Sequence, residues 1–343
     1  MSSVVVRASR FKSLSTRRRQ LLRVGASACI AAIFGAAPLT DARAQTGDNT
    51  GPLRLIVAYP PGGSADILAR MLGQKLGQVL NRSVVVDNRP GAGGMIGLNA
   101  AAQAAPDGNT IFLCAVTTQI IGTLLNKNAR YDVTRDLEPI SLMASAPHVL
   151  VVHPSVPAKD MKAFTAWLAT QNGKVNFASG FGTLSHLEGI LLGQRLDVTL
   201  HNIPYKGSSQ AVTDLLAGNV SFMFDSIPSS LPLITSGKVR ALAVASTQRM
   251  PALAQLPTVA EAGVPGYDVN NWFGVYAPKG TPQSVLEGFD KAIAETLRDK
   301  DLVARMERNG YLPKYGNSAE MGRVATDEVK RWGNVISTAG LSL

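Results

Sequence analysis

The sequence has few of the side chains that carry out covalent or metal chemistry. It holds two cysteines and four histidines in 343 residues. Cys29 lies in an N-terminal segment that we predict to be removed, which leaves Cys114 without an intramolecular disulfide partner. Cys114 stands in the apolar stretch TIFLCAV, where a single thiol is typical of core packing. The histidines are scattered without metal-ligand spacing, so we predict neither a metal site nor a cofactor.

Catalytic motifs are missing as well. No serine has glycine both two positions before and two positions after it, and there is no Gly-Lys-[Ser/Thr] phosphate loop and no His-Glu-x-x-His zinc motif. The segment GAGGMIG (91–97) approaches a nucleotide-binding Gly-x-Gly-x-x-Gly, but its third glycine comes one position late. We therefore predict a tight turn into a closely packed helix there, and the chain gives no sign of an enzyme.

A membrane-spanning run is also lacking near the N-terminus. The apolar stretch 24–37 is shorter than the roughly 20 residues that a spanning helix needs. It follows a basic region and precedes Ala42-Arg43-Ala44, so residues 1–44 are predicted to be a secretory signal cleaved near Ala44, with the mature protein in the periplasm. Residues 18–23, RRQLLR, also match a twin-arginine signal, and the sequence leaves the general and the twin-arginine export routes equally open.

Most of the positive charge belongs to this segment. Residues 1–44 carry eight of the 34 Lys and Arg residues and one of the 24 Asp and Glu residues, so the remainder has a net charge of only +3. Nucleic-acid binding requires a clustered basic face. We therefore predict no nucleic-acid partner.

What the sequence does contain is an alternation of apolar strands and helices, typical of an α/β fold. The first series predicts strands at 53–59, 83–88 and 110–116, with helices at 65–80 and 93–105. A second series starts with a strand at 148–154 and continues with the helices 159–171, 184–195, 209–217 and 228–236 and the strands 174–179, 200–207, 220–226 and 239–246. A strand at 270–282 and helices at 283–309 and 318–338 close the chain. We predict two lobes, each a mostly parallel sheet flanked by helices, with the strands 148–154 and 270–282 crossing between them as a hinge.

Glycine and hydroxyl residues collect where the predicted strands end. These stretches are 60–66, 88–94, 116–119, 179–186, 205–209 and 225–226. Ligands of doubly wound sheets bind beyond the carboxyl ends of the strands, and backbone N–H groups at helix starts favour anions. Ser64 is predicted to cap the 65–80 helix and Asp66 to complement its dipole in the first turn. The pattern predicts a site that consists of neutral donors and binds a small carboxylate. Lys206 is a candidate counter-charge, although a lysine beside a glycine turn is more often solvated.

Several segments together resemble one known family over residues 52–340. They include YPPGGSADILAR, NRPGAGGMIG, FASGFGTLSHLEG, PYKGSSQAVTDLLAGNVSFMFDS and LPTVAEAGVPGYDVNNWFGVYAPKGTP. These are similar to the Bug family, the extracytoplasmic solute receptors of tripartite tricarboxylate transporters. The resemblance implies a monomeric, two-lobed periplasmic-binding-protein fold of the type II, Venus flytrap kind. It also implies capture of a small carboxylate and delivery to integral-membrane permease subunits. Lobe 1 would comprise 52–147 with 278–343, and lobe 2 would comprise 148–277 with both crossing strands.

The same resemblance implies which residues bind the ligand. The loop 60–66 would contact a carboxylate through its backbone and bridging waters, and the other loops would form the remaining walls. The expected set is Tyr59, Pro61, Gly62, Gly63, Ser64, Ala65, Asp66, Thr117, Thr118, Ser179, Gly180, Thr183, Tyr205, Lys206, Gly207 and Asp225. A receptor that reports to a sensor instead of a transporter remains an alternative. A secreted enzyme acting on organic acids is the third.

Overall fold

A computed structural model describes residues 51–126 and 129–341. The predicted signal segment lies outside these residues. The described strands are β1 (Leu53–Val57), β2 (Val84–Asn88), β3 (Thr110–Ala115), β4 (Leu137–Ser145), β5 (His148–Val152), β6 (Val175–Gly180), β7 (Leu200–Tyr205), β8 (Phe222–Ser226), β9 (Arg240–Val244), β10 (Trp272–Pro278) and β11 (Leu312–Asn317). They form a six-stranded first sheet in the order β11-β4-β10-β3-β1-β2 and a five-stranded second sheet in the order β7-β6-β8-β5-β9.

Helices flank both sheets, as predicted. They are α1 (Ser64–Leu80), α2 (Met95–Ala102), α3 (Val116–Leu125), α4 (Met161–Thr170), α5 (Leu184–Leu196), α6 (Ser208–Leu216), α7 (Ile227–Thr235), α8 (Gln283–Thr296), α9 (Lys300–Arg308) and α10 (Ser318–Thr338). Among the described residues, no helix is both long and apolar enough to cross a membrane.

The prediction that each sheet is mostly parallel holds for strand direction: β1 to β4 run the same way in the first sheet and β6 to β9 in the second, whereas β5, β10 and β11 run opposite. Parallel pairing is confined to β1 with β2 and β3 and to β6 with β7 and β8, and the other pairs are antiparallel. The reversed strands include the two with which the chain enters one sheet from the other. β5 enters the second sheet only two residues after β4 of the first, and β10 returns the chain to the first sheet. Both run opposite to the βα series of the sheet that they enter.

The assignment of residues 272–277 to the second lobe also needs correction. β10 pairs with β3 and β4 in the middle of the first sheet, so it belongs to the first sheet along its whole length. The chain passes between the sheets in the short segments 146–147 and 269–271 instead of within strands. The N–H of Ala146 donates to the carbonyl of Asn271 at 2.9 Å, so the two crossing segments lie side by side.

Three further differences concern single elements. Residues 116–119, predicted as a loop, form the first turn of α3, and the strands β4 and β11 were not predicted. Proline and glycine at Pro139, Pro313 and Gly316 obscured the strand pattern. The predicted helix 283–309 is two helices, because Asp299 caps α9 by accepting the N–H of Leu302 at 2.8 Å.

Apolar clusters fill both faces of each sheet. One of them joins the two halves: Ile121 of α3 and Trp332 and Ile336 of α10 pack with Leu150 of β5 and Phe177 of β6. The helices α3 and α10 flank the first sheet, so its helices complete the core of the second.

Cys114 is fully buried in β3, and burial raises the pKa of its thiol well above the ordinary value. Because the thiolate is the reactive form, we expect no modification by a maleimide in the native protein. Mass spectrometry of the peptide containing Cys114 should show the adduct only after unfolding in guanidinium. Rapid labelling of the native protein would contradict this packing.

Candidate functional site

A cavity of about 350 Å³ lies at the edge where strands of both sheets end. The parallel strands β1, β6, β7 and β8 reach this edge with their carboxyl ends, whereas the antiparallel strands β5 and β10 reach it with their first residues. The lining residues are Ala58, Tyr59, Pro60, Pro61, Gly62, Gly63, Ser64, Ala65, Gly91, Gly93, Gly94, Ala115, Thr118, His148, Gly180, Thr183, Leu184, Ser185, Lys206, Gly207, Ser208, Ser209, Val212, Met223, Asp225, Ser226, Ser229, Asn271 and Phe273. This volume is at the lower end of the range for small-molecule sites.

Twelve of the sixteen residues predicted to bind ligand line this cavity: Tyr59, Pro61, Gly62, Gly63, Ser64, Ala65, Thr118, Gly180, Thr183, Lys206, Gly207 and Asp225. Four do not: Asp66, Thr117, Ser179 and Tyr205. The twelve lie at or after the ends of strands of both sheets, so the fold brings these predicted residues together at one cavity. The other four are engaged within the protein.

Asp66 holds the turn that forms one wall. Its carboxylate accepts the N–H of Gly62 at 2.9 Å and pairs with Arg70 at 2.9 Å. Burial alone would raise the pKa of Asp66, but the hydrogen bonds from Arg70, Gly62 and Asn88 hold it below the usual value. Gly62 has φ +80°, a conformation that favours glycine. Asp66 thus positions the backbone of the turn.

The three hydroxyl residues outside the cavity point to protein partners. Thr117 donates to the carbonyl of Asn270 at 3.3 Å, and Ser179 donates to Asn202 at 2.6 Å. The Tyr205 hydroxyl donates to Asp214 at 2.6 Å, and burial together with that carboxylate raises the pKa of Tyr205 to about 12. Adjacent strand residues point to opposite faces, so membership of a strand-end segment does not decide which way a side chain points.

Six described helices begin at the cavity, and none has a side-chain cap. Their N-cap residues all line the cavity: Gly63 for α1, Gly94 for α2, Ala115 for α3, Thr183 for α5, Gly207 for α6 and Ser226 for α7. The prediction of Ser64 as N-cap is wrong by one residue, because Ser64 is already the first helical residue. Each helix start leaves backbone N–H groups without intrahelical partners and carries partial positive charge.

Helices that begin elsewhere are different. The N-cap side chains of α4, α9 and α10 accept backbone N–H groups: Asp160 from Ala163, Asp299 from Leu302 and Asn317 from Glu320, at 2.8, 2.8 and 3.1 Å. Among the described α-helices, only α8, which follows Pro282, begins outside the cavity without such a cap. Helix starts without side-chain caps are therefore concentrated at one cavity, which suits an anion. The start of α7 contributes least, because the N–H of Ile227 donates to the carbonyl of Pro147 at 3.3 Å and Pro228 has no N–H.

The polar wall of the cavity combines Asp225 with His148. Asp225 accepts hydroxyl hydrogens from Ser208 and Ser230, both at 2.6 Å. His148 is bonded through Nδ1 to Glu188, which is completely buried on α5. Sequence reasoning missed His148, because the first residue of a strand reaches the ligand edge only when that strand is antiparallel to its neighbours.

Two further lining residues have unused hydrogen-bonding atoms. Among the described residues, Ser226 Oγ and Asn271 Oδ1 are buried without a hydrogen-bond partner. Such orphaned polar atoms cost free energy unless something else satisfies them. Both also adjoin the crossing between the sheets, at the start of α7 and just before β10. Ser226 belongs to the stretch 225–226 that the sequence placed at this edge, whereas Asn271 reaches the cavity only through the topology.

Turns of the two sheets approach each other closely across the cavity. A Cβ built on Gly207 would lie 3.2 Å from Pro60 Cγ, and a Cβ on Gly93 would lie 3.6 Å from the carbonyl oxygen of Gly182. Turns of the first sheet therefore meet turns of the second. In the described part of the chain, no three His, Cys, Asp or Glu side chains are placed to hold a metal ion.

Two α/β sheets joined by paired crossings, with a cavity between their strand ends, are the architecture of a solute-binding protein. The sequence profile of the family described as "Tripartite tricarboxylate transporter family receptor" matches residues 68–341. The chain belongs to this family, whose members are receptors. The resemblance to the Bug proteins is thereby confirmed.

Individual relatives agree with this assignment. The chain is 37% identical over 294 residues to protein BugT of Bordetella pertussis, covering 85% of this chain and 90% of BugT. It is similar to a solved R. palustris protein with adipate, at 31% identity, TM-score 0.82, and 85% and 98% coverage of the two chains. It is also similar to MatC from Rhodopseudomonas palustris with bound malate, at 28% identity, TM-score 0.77, and 83% and 98% coverage.

Proposed function

We propose that this protein is an exported periplasmic receptor that encloses a small carboxylate between its two halves and presents it to the permease of a tripartite transporter. The observation that carries the proposal is the convergence of six uncapped helix starts on one cavity. A carboxylate oxygen satisfies the free N–H groups that these helices leave, and its charge is favoured by their dipoles. The relatives with malate and adipate support this class of ligand.

In this proposal, the cavity-lining residues predicted from the sequence contact the ligand mainly through backbone N–H groups. The first-sheet turn 60–65 receives the carboxylate, and the second-sheet loops that contain Thr183 and Gly207 close over it. Closure removes water and strengthens every hydrogen bond to the anion, because the local dielectric falls. The receptor works as a monomer, and its closed form is what the permease recognises.

A thermal-unfolding screen tests the receptor function. We expect malate, adipate or another small carboxylate to raise the melting temperature, because a ligand at about 100 times its Kd stabilises the native state by about 2.7 kcal/mol. That corresponds to a shift of roughly 5 °C in a chain of this size. The neutral methyl esters of the same acids are the matched control and should have no effect. A broad acid panel without any shift, or equal shifts with acids and esters, would refute the proposal.

A further inference from the structure

We propose that His148, held in place by Glu188, is a specificity-determining residue that donates a charged N–H to a second anionic group of the ligand. The receptor then prefers dicarboxylates over monocarboxylates and binds them more weakly as pH rises. This inference rests on the proposed function and deepens it. It concerns a pair of residues that the loop pattern at the strand ends does not contain.

The contact with Glu188 fixes the orientation of the His148 ring. His148 is the first residue of β5, opposite Ser226 of β8, and it lines the cavity with 7% of its surface exposed. Its Nδ1 is 2.5 Å from Glu188 Oε2. A carboxylate there accepts the Nδ1 proton, which fixes the tautomer. Nε2 makes no hydrogen bond to any residue that the structure describes and is not among the buried unpartnered atoms, so it is the atom left for a ligand.

The charge of the His148 ring depends on the ionisable groups around it. The ionisable groups facing it are Glu188 on α5 and Asp225 on β8, while Arg331 on α10 and Tyr267 act on Glu188. Burial alone would lower the pKa of His148, but the charge and hydrogen bond of Glu188 and the charge of Asp225 outweigh it and raise that pKa. The ring therefore keeps the proton on Nε2 to higher pH than an ordinary histidine does.

The carboxylate of Asp225 does not take up the Nε2–H of His148. Each of its carboxylate oxygens already accepts one short hydroxyl bond, from Ser208 and from Ser230. The helix starts bind one carboxylate of the ligand. A protonated Nε2–H then adds a charge-assisted bond that only a second anionic group can use fully, and bonds of this kind are about twice as strong as neutral ones.

The sign of the pH effect follows from linkage. An anion bound at Nε2 raises the pKa of His148 further. The added affinity is therefore complete below the pKa of the empty protein, and it declines as pH rises from that value to the pKa of the complex. The ligand carboxylates are fully ionised from about pH 7 upward, so they contribute no slope of their own between pH 7 and 9.

Calorimetric titration with two matched acid series tests the proposal. The probes are succinate, glutarate and adipate against butyrate, valerate and hexanoate, at pH 6, 7, 8 and 9. We expect a dicarboxylate to bind at least tenfold more tightly than its monocarboxylate partner at pH 6, with the ratio falling as pH rises. His148→Gln should lose both the preference and its pH dependence while still binding monocarboxylates.

Two more variants separate positioning from packing. Glu188→Gln keeps an acceptor for Nδ1–H but removes the charge, so the decline in affinity should move to lower pH without disappearing. His201→Gln changes an exposed histidine on β7 outside the cavity and should behave as wild type. If Glu188→Gln fails to fold, the wild-type pH profile and His148→Gln still decide the matter.

The outcomes distinguish this inference from the receptor function. A dicarboxylate preference that is independent of pH, or one that survives in His148→Gln, would overturn the role of His148 and leave the receptor function intact. Affinity that increases with pH would place a cationic ligand group against Asp225 and would overturn it as well. If no acid of either series, and none in the broader panel, binds at any pH, the receptor function itself fails.

Discussion

Ser64→Pro should weaken carboxylate binding by roughly 10- to 100-fold and leave the ligand-free protein as stable as wild type. Ser64 is the first residue of α1, where proline is well tolerated because the helix does not use that N–H. Gly63 before it is already extended, at φ −78° and ψ 168°, as a residue preceding proline must be. The change removes one N–H from the cavity, and a hydrogen bond to a charged group is worth about 1.5–3 kcal/mol. Isothermal titration and thermal unfolding of the free protein measure the two effects.

Matched variants identify the backbone as the cause. Ser64→Ala keeps the N–H and removes only the hydroxyl, so it should bind within a few-fold of wild type. Lys300→Pro places proline at the same helical position of α9, which begins away from the cavity, and should change neither affinity nor stability. Wild-type affinity in Ser64→Pro would show that the start of α1 does not hold the anion.

Gly207→Val should raise the Kd for the same ligand at least tenfold by preventing the halves from meeting. Gly207 has φ −175°, extended backbone that valine adopts without strain. Its Cβ would lie 3.2 Å from Pro60 Cγ, and the valine methyl groups would extend further toward the proline ring. Pro60→Ala removes that ring, so the double variant should recover much of the lost affinity.

Gly207→Val, Pro60→Ala and the double variant form a double-mutant cycle. The affinity that the double variant recovers is its decisive measurement. Contacting residues show coupling energies of about 0.5–3 kcal/mol, whereas independent residues show almost none. Gly288→Val is the control: Gly288 lies on an exposed part of α8 with nothing within 4 Å of an added Cβ. If the double variant binds as weakly as Gly207→Val alone, the loss comes from the start of α6 and not from contact across the cavity.

Much of the fold could be predicted because its signals are local. Unbroken apolar strands alternate with helices, and this pattern correctly predicted β1 to β3, the series from β5 to β9, and the helices around them. β4 and β11 escaped, because their prolines and glycines hide the strand pattern and pairing alone makes them strands. The reversed direction of β5 and β10 also escaped, because it depends on which sheet a strand enters.

The candidate site also combines residues that a local sequence pattern predicts with residues that only the three-dimensional fold brings there. Glycine and hydroxyl residues after parallel strands are visible in the sequence, and most of the cavity wall comes from them. His148 begins β5 and Asn271 directly precedes β10, so both reach the same edge only through a reversal of strand direction that no local pattern encodes. Glu188 lies in the middle of α5. Its role depends on its contact with His148, which stands 40 positions earlier in the chain, so no local pattern indicates it.

The central place of β10 in the first sheet has a consequence for biosynthesis. The second sheet is made from one continuous stretch, 148–244, whereas the first sheet cannot close until residues 272–278 have been inserted between β3 and β4. A nascent chain can therefore pair all five strands of the second sheet before the first sheet closes, although the second sheet's core is complete only once α10 has been made. Until then the edges of β3 and β4 that face β10 stay unpaired, because their partner lies more than 120 residues downstream of β4.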